Sequence, residues 1–388
     1  MGVRGGQLGD MEPRHPACAA SVPSVWVLLG TEPGDNAQLR ILAEALGWPF
    51  EERRLVFRRV SGLHNLLLSA TLAGLAPPRP ADLAPPWPDL ILACGKRSVP
   101  VARWIQRRSA GRTRLVHCGR PWAPLAWFDL VLTTPHYALP ERENVLVTAL
   151  PFHRISPATL AAAADRWRER LLALPPPRIA VLLGGPARPF VMNTASLRAI
   201  AERVGRLART LGGSLMVTTS PRTPSSALTV VRDATDVPTV LHRWRAGDPD
   251  NPYAAFLALA DRVVVTEDSV AMLAEACRTG APVTVARLAT RRSVRTTLVR
   301  LLDRTLPAVQ RRLTGSGLLV SGRDVRRIHE RLHCEGCVDY LDAPASGPRI
   351  PFPDELPVAV AAIRRLLGKQ HTGPAPTSSG VPGREDSG

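Results

Sequence analysis

Short apolar runs alternate with amphipathic segments along most of the chain. The first run, Val25–Leu29, leads through a glycine-bearing turn into a segment with leucines at helical spacing, and the same order returns from Arg178–Leu183 onward. Short runs rich in β-branched residues are typical of parallel strands buried on both faces. The alternation therefore predicts a doubly wound α/β fold. Further strands are predicted at residues 89–94, 115–118, 129–133, 144–147, 214–219 and 262–266.

A proline hinge divides this alternation into two halves. A helix predicted at Pro157–Leu172, with Ser156 as its cap, gives way to three consecutive prolines at 175–177, which form a stiff linker. We predict a first Rossmann-like domain over residues 23–174 and a second over residues 175–367, facing each other across a cleft. The predicted second domain includes helices at 296–312, 323–333 and 357–367, and disorder is predicted for residues 1–22 and 368–388.

Composition adds a strong positive charge to this picture. The 388 residues carry a formal net charge of +17, most of it from arginine. Such a balance favours anionic partners, namely nucleic acid, an anionic lipid surface or phosphorylated ligands, although a GC-rich genome would also enrich arginine. Only 5% of residues are aromatic and they do not alternate with basic ones, so we expect no nucleic-acid partner. The oligomeric state stays open.

The cysteines and the apolar runs bear on the compartment. Three of six cysteines lie in predicted strands or helices, where a free thiol acts as a small apolar group and fits a reducing compartment. Cys334 and Cys337 form a lone C-x-x-C, and because a structural zinc site needs four ligands we expect a local turn and no metal. Without an apolar signal region or a run of about 18 apolar residues, we predict a cytoplasmic protein, free or held on the inner face of the cytoplasmic membrane.

The stretch Ala260–Val285 combines a strand, a polar turn and a helix. Glu267, Asp268 and Ser269 follow the strand and offer oxygens that cap a helix start. A strand that runs into a capped helix leaves free N–H groups at the carboxyl edge of a sheet, and such a place binds anions. This turn is the predicted phosphate site.

Glu275 extends the same site along the helix. It lies six positions after Ser269, which is about 9 Å along a helix. A carboxylate at that distance would reach the ribose of a nucleotide whose phosphate lies at the helix start. The alternative is an ordinary surface glutamate paired with Arg278.

The second half gathers further polar groups at the carboxyl ends of its predicted strands. Glycines for close approach, hydroxyls, two arginines and a distal carboxylate together describe a nucleotide-diphosphate pocket. The predicted donor-binding residues are Gly184, Gly185, Arg188, Thr219, Ser220, Arg222, Thr223, Glu267, Asp268, Ser269, Met272 and Glu275.

The first half presents its own polar groups at the corresponding edge. Asp35 in the first glycine turn and His136 in a later loop are the candidate general bases. The dinucleotide fingerprint and the P-loop are both absent, and Asp35 or Asn36 would equally serve as a helix cap. The predicted acceptor-side residues are Asn36, Gln38, Lys96 and Arg97.

Five blocks in order resemble a known family. They read G-T-E-P-G-D-N-A-Q at 30–38, V-L-L-G-G-P at 181–186, V-T-T-S-P-R-T-P at 217–224, N-P-Y at 251–253 and V-T-E-D-S-V-A-M at 265–272. As a set they resemble the mitochondrial fission family of the elongated-mitochondria type. The resemblance implies a GT-B-like fold and, as for bacterial members, glycosyltransferase activity. The plant member is associated with recruiting a dynamin-related protein, which implies the alternative of a non-catalytic adaptor.

The second half also resembles the donor domain of the lipid-linked N-acetylglucosaminyltransferase of peptidoglycan synthesis. Gly184-Gly185, Ser269, Glu275 and G-A-P at 280–282 match the residues with which that family holds its UDP-sugar. The first half departs from it, so acceptor and base stay open. The resemblance implies a nucleotide-diphosphate sugar of UDP type as the donor. We expect transfer without metal or cofactor, because the helix start at Ser269 and Arg188 or Arg222 would stabilise the departing diphosphate. The surface arginines would hold the protein near an anionic membrane that carries the unknown acceptor. A nucleotide-sugar epimerase with the same pocket is a further alternative.

Overall fold

The computed structural model describes residues 22–77, 83–187, 189–291, 305–319, 324–341 and 352–368. Two parallel six-stranded sheets organise these residues, which confirms the predicted α/β class with two doubly wound, Rossmann-like domains. The predicted disordered segments, except Val22 and Gly368, lie outside the described residues.

The first sheet has the strand order β2-β1-β3-β4-β5-β6. Its strands are β1 (Val25–Leu29), β2 (Phe50–Arg54), β3 (Leu90–Cys94), β4 (Arg114–Cys118), β5 (Leu130–Thr133) and β6 (Val145–Val147). Its helices include α1 (Pro33–Leu46), α2 (Asn65–Leu68) and α3 (Val99–Arg108). Alternate residues of β1 enter separate apolar cores, one containing α1 and the other α3. The strand order reverses between β1 and β3, and such a switch point opens a crevice at the carboxyl edge.

The second sheet has the strand order β10-β9-β7-β11-β12-β14, beside a two-stranded antiparallel ladder of β8 and β13. Its switch point lies between β7 and β11. The strands are β7 (Arg178–Leu183), β8 (Phe190–Val191), β9 (Ser214–Thr219), β10 (Thr239–His242), β11 (Arg262–Thr266), β12 (Val283–Ala286), β13 (Ala289–Thr290) and β14 (Val338–Tyr340). The helices that follow β6 along the chain are α4 (Pro157–Leu172), α5 (Thr194–Thr210), α6 (Ala227–Ala234), α7 (Tyr253–Leu259), α8 (Val270–Ala276), α9 (Pro307–Gly315), α10 (Arg326–Cys334) and α11 (Leu356–Gly368). Of these, α4 packs against the core of the second sheet, although we predicted it within the first domain.

The last helix, α11, packs on the first sheet, although we predicted it within the second domain. Its buried residues Ala359 and Ile363 belong to the core that contains α1, and Arg364 Nη2 donates to the carbonyl of Leu46 at 3.0 Å. The segment that leads from the second sheet back to α11 is held in place because the Ala149 N–H donates to Glu355 Oε2 at 2.6 Å. Amphipathic periodicity predicts a helix and an apolar face, but not the sheet that the face covers.

His117 on β4 is a buried polar residue in the first domain. It is completely buried, its ring centroid lies 5.3 Å from that of Phe128, and neither ring nitrogen has a hydrogen-bond partner within the described ranges. Burial lowers the pKa of His117 to about 3 because the charged imidazolium would lose its hydration.

We expect His117→Leu to flatten the pH dependence of stability. The depressed pKa means that the unfolded chain binds the proton first, so the stability present above about pH 6.5 is lost as the pH falls toward 3. Between pH 7 and 5 this loss amounts to about 2 kcal/mol for the wild type. Urea unfolding of both proteins at these pH values measures the difference. Equal losses in wild type and variant would contradict the assignment.

Candidate functional site

The Gly184-Gly185 turn lies at the switch point of the second sheet. The Gly185 N–H donates to Asp268 Oδ2 at 2.7 Å, and the Gly184 N–H donates to Thr266 Oγ1 at 2.8 Å. A Cβ on Gly184 would lie 2.2 Å from Asp268 Oδ2, so glycine permits the close approach of the carboxylate. The N–H groups of both glycines are therefore already bonded inside the fold.

Asp268 is the buried acid beneath this turn. Desolvation raises the pKa of its carboxyl, while the hydrogen bond from Gly185 and the charge of Arg222 act in the opposite direction. Its Oδ1 is buried and accepts no hydrogen bond from the parts of the chain that are described. Arg222 is exposed, so its guanidinium is the cationic group presented to solvent beside the turn. Arg188, the other predicted arginine, lies outside the described residues.

The predicted donor hydroxyls fasten neighbouring turns to one another. Thr223 Oγ1 accepts from Ser220 N–H at 2.7 Å and contacts the carbonyl of Gly184. Thr219 Oγ1 accepts from Trp244 N–H at 2.9 Å. Because these groups are bonded within the fold, they shape the edge of the sheet and keep little free capacity for a ligand.

Glu267 is almost completely buried and forms an internal ion pair. Its Oε1 accepts from Arg326 Nε at 2.8 Å, and its Oε2 accepts from Leu288 N–H at 2.9 Å. The carboxylate thereby joins the end of β11 to α10, which is a structural use rather than the predicted donor contact.

Ser269 is the N-cap residue of α8. Its side chain makes no capping hydrogen bond, so the predicted side-chain cap is wrong. Met272, one turn further along, is half-buried and packs against the core of the second domain. With seven residues, α8 is a short helix whose position depends on packing more than on its ends.

Glu275 on α8 accepts a hydrogen bond from the Tyr253 hydroxyl at its Oε2. Burial raises the pKa of the Glu275 carboxyl, and the bond from Tyr253 partly offsets this. Arg278 donates instead to the carbonyl of Phe352 at 2.6 Å, so the alternative Glu275–Arg278 pair is wrong. Sequence reasoning missed Tyr253 as a site residue, although it ends the N-P-Y block.

Two predicted acceptor-side residues serve the fold of the first domain. Asn36 pairs with the backbone of Gly30, accepting at 2.9 Å and donating at 3.0 Å, and Gln38 makes the same two-way contact with Phe152. The helix cap is Glu32, without a side-chain bond, so neither Asp35 nor Asn36 caps α1. Each amide thus binds the backbone through one of its two N–H groups and through its oxygen, which fixes the orientation of the side chain.

Asp35 lies half-buried at the switch point of the first sheet. A Cβ on Gly95 would lie 3.3 Å from its Oδ2, which places the carboxylate at the end of β3. Burial and the nearby Asp35 charge together raise the pKa of the Cys94 thiol well above its ordinary value. Asp35 is therefore a partly accessible acid between two strand ends.

Lys96 and Arg97 follow β3 and differ in exposure. Lys96 Nζ donates to the carbonyl of Gly62 at 2.6 Å and lies 5.4 Å from the ring centroid of Trp122, while desolvation lowers its pKa. Arg97 is exposed. Lys96 therefore binds the loop that contains Gly62, whereas the Arg97 side chain is presented to solvent.

His136 is buried, although we predicted a loop residue that meets substrate. Its Nδ1 lies 2.7 Å from Thr134 Oγ1, and its carbonyl accepts from Asp324 N–H at 2.9 Å. The contact with Asp324 joins the loop after β5 to the segment that enters α10. This burial disfavours His136 as the base in the present conformation.

An aromatic and cationic cluster beside this loop was not predicted. The Arg120 guanidinium lies 4.7 Å from the ring centroid of Trp122 and 5.5 Å from that of Tyr137. Trp122 has a left-handed backbone with φ of 56°, a strained conformation that clusters at functional sites. Strain of this kind carries no sequence signal for a non-glycine residue.

Neither a metal cluster nor a membrane span is found in the part of the chain that the structure describes. No three His, Cys, Asp or Glu side chains there gather to hold a metal ion. Cys334 ends α10 and Gly336 follows with φ of 72°, which makes the C-x-x-C a local turn as predicted. None of the helices in these ranges has the length and hydropathy needed to cross a bilayer.

Two doubly wound domains with polar groups at both switch points define a GT-B-like α/β protein. The sequence profile of the family described as Mitochondrial fission ELM1 matches residues 33–310. The chain belongs to this family, which confirms the resemblance found in the sequence.

The chain has low sequence identity to individual relatives. The chain is 30% identical over 221 residues to "Mitochondrial fission protein ELM1" of Arabidopsis thaliana, covering 51% of each, so it spans about half the length of that relative. It is 22% identical over 293 residues to "Uncharacterized protein RP120" of Rickettsia prowazekii, covering 67% of this chain and 82% of the relative. Among solved structures, UDP-GlcNAc 2-epimerase from Methanocaldococcus jannaschii covers 89% of this chain and 99% of its own, with 13% identity and a TM-score of 0.48.

Proposed function

We propose that the protein transfers a sugar from a nucleotide-diphosphate sugar to an acceptor at the edge of the first sheet. The observation that carries the proposal is the Glu275 carboxylate on the helix that follows the switch point of the second sheet. It is desolvated, has a raised pKa, and accepts a hydrogen bond from a tyrosine hydroxyl, while no cation of the described residues pairs with it. Such perturbed acids cluster at functional sites because burying them costs stability.

In this proposal Glu275 Oε1 accepts hydrogen bonds from the ribose hydroxyls, while Tyr253 fixes the other oxygen. The exposed Arg222 guanidinium neutralises the charge that develops on the departing diphosphate. Asp35, partly accessible at the switch point of the first sheet, takes the proton from the acceptor hydroxyl. These roles use cationic and acidic side chains of this chain alone.

A second candidate is a non-catalytic adaptor. The observation that favours it is that groups predicted to contact the substrates are hydrogen-bonded within the protein. The side chains of Asn36 and Gln38 bind the backbone, and the N–H groups of Gly184 and Gly185 bind side chains. A protein that keeps the fold only to bind a partner would have no need of free groups there.

Calorimetric titration of UDP tests the transferase proposal. We expect wild type to bind and Glu275→Ala to weaken binding by about 10- to 100-fold, because a hydrogen bond to a charged group contributes about 1.5–3 kcal/mol. Glu202→Ala, on the exposed face of α5, is the matched control and should bind as wild type does.

Three results separate the alternatives. Equal affinities for wild type and Glu275→Ala would remove Glu275 from the site. No binding of UDP or of any other nucleotide diphosphate would favour the adaptor. Interconversion of two nucleotide sugars without an acceptor would identify an epimerase with the same pocket.

A further inference from the structure

Two leucines project from the connection between β2 and β3. Leu63 is 49% exposed and Leu67, on α2, is 77% exposed. A single exposed leucine is ordinary, but here two exposed leucines lie four positions apart on one short segment. The segment sits at the carboxyl edge of the first sheet, on the side of the candidate acceptor groups.

This segment is held firmly rather than projecting as a frayed loop. The buried Asn65 side chain donates to the carbonyls of Lys96 and Pro121, both at 3.0 Å. Lys96 Nζ returns a bond to the carbonyl of Gly62 at 2.6 Å. Three hydrogen bonds therefore tie the segment to the loops that follow β3 and β4, and the leucines point outward from a fixed base.

The two stretches of chain around the leucines carry basic residues and no acid, and the Asp35 carboxylate beside Gly95 is an acid at the same edge of the sheet. The sequence has no Asp or Glu from residue 53 to 81, and none from residue 90 to 128. Within those two stretches Arg58, Arg59 and Arg97 are exposed. We name Leu63, Leu67, Arg58, Arg59 and Arg97 the leucine–arginine surface.

We propose that the leucine–arginine surface docks on an anionic lipid bilayer. The leucines enter the region between headgroups and acyl chains, and the arginines stay at the lipid phosphates, as interfacial anchors combine buried apolar area with charge attraction. Nucleic acid would use the cations but would leave the two leucines uncovered. A symmetric contact with a second copy would bring the same arginines face to face.

Docking of this kind goes beyond the proposed sugar transfer and does not depend on it. It places the carboxyl edge of the first sheet beside a membrane, whichever reaction or partner that edge serves. Loss of docking with intact UDP binding is therefore distinguishable from failure of the transferase proposal.

Co-sedimentation with vesicles tests the proposal. We expect the full-length protein to bind phosphatidylcholine vesicles that contain about 30% phosphatidylglycerol, and to bind less as salt rises. Leu63→Ser with Leu67→Ser should lower the partition coefficient by on the order of 100-fold, since each leucine contributes on the order of 10-fold. Arg58→Ala with Arg59→Ala should lower it by about 30-fold at low salt. All four side chains are exposed, so the variants should fold.

Matched controls make the same chemical changes elsewhere. Leu172→Ser with Leu211→Ser removes two other exposed leucines, and Arg198→Ala with Arg206→Ala removes two exposed arginines of α5. Both controls should bind anionic vesicles as wild type does.

Four outcomes would overturn the proposal. The first is that the wild type does not bind anionic vesicles, and the second is that the leucine or arginine variants bind them as the wild type does. The third is that the arginine control on α5 loses as much vesicle binding as the Arg58 and Arg59 variant, which would indicate a general effect of net charge. The fourth is a dimer in light scattering that the leucine variants dissociate, which would identify a second copy as the occupant of the surface.

Discussion

Gly185→Ala is expected to lower the free energy of unfolding by about 3 kcal/mol or more. A Cβ at this position would lie 2.5 Å from the backbone carbonyl carbon of Arg222 and 2.6 Å from its oxygen. Backbone atoms cannot rotate away as a long side chain can, so one of the two turns must move. That movement also weakens the bond from the Gly185 N–H to Asp268 and leaves buried polar groups without partners.

Gly34→Ala is the matched control for this substitution. No heavy atom lies within 4 Å of a Cβ there, and the residue is in the first turn of α1. Alanine should be neutral or gain up to about 1 kcal/mol because it favours the helix. Urea unfolding followed by circular dichroism measures both variants. A loss below about 1 kcal/mol for Gly185→Ala would contradict the proposed close approach.

Glu267→Ala is expected to lower the free energy of unfolding by about 3 kcal/mol. The substitution leaves the Leu288 N–H without its acceptor and removes the partner of Arg326. Arg326→Ala should cost about 2 kcal/mol, because a buried carboxylate then lacks its cation, while the arginine itself is 39% exposed and partly screened.

A double-mutant cycle isolates the pair itself. The double variant should be less destabilised than the sum of the two single variants, with a coupling of about 1 kcal/mol that decreases as salt rises. Glu267→Gln retains an acceptor for Leu288 and should fall between wild type and Glu267→Ala. Strict additivity would show that the ion pair contributes nothing beyond the separate hydrogen bonds.

The strands at the centre of the second sheet follow directly from the sequence. The predicted bounds of β7, β9 and β11 agree with the structure to the residue. Each contains an unbroken apolar stretch of three to five residues and ends at a glycine or polar turn, which is typical of a strand buried on both faces. Central parallel strands are therefore the most predictable elements of this chain.

Three of the four edge strands, β2, β10 and β14, were missed because they lack such an apolar run, whereas the edge strand β6 was predicted at 144–147. The strand β2, Phe50–Arg54, has four charged residues, because an edge strand faces solvent and needs no apolar run. The strands β10 and β14 also lie at the ends of their sheet and were not predicted. Their pairing depends on tertiary contacts that a local pattern does not contain.

At the candidate site the sequence indicates which groups reach the edge of each sheet, but not which are already bonded. The Gln38 side chain binds the backbone of Phe152, which lies 114 positions along the chain, and Glu275 is held by Tyr253 from another helix. Local spacing cannot predict partners at such separations. The predicted positions are useful for locating the edge, whereas the role of each side chain requires the fold.

Because α11 packs on the first sheet, the chain passes twice between the two domains. Two segments, 149–156 and 352–356, connect the domains, and they contact each other through the hydrogen bond from the Ala149 N–H to Glu355. A single connecting segment would allow the two domains to rotate freely about it. Two connecting segments at one place restrict the motion of one domain relative to the other to bending about an axis through both segments. A cut near residue 175 would therefore separate the first sheet from α11, whose buried face covers its core.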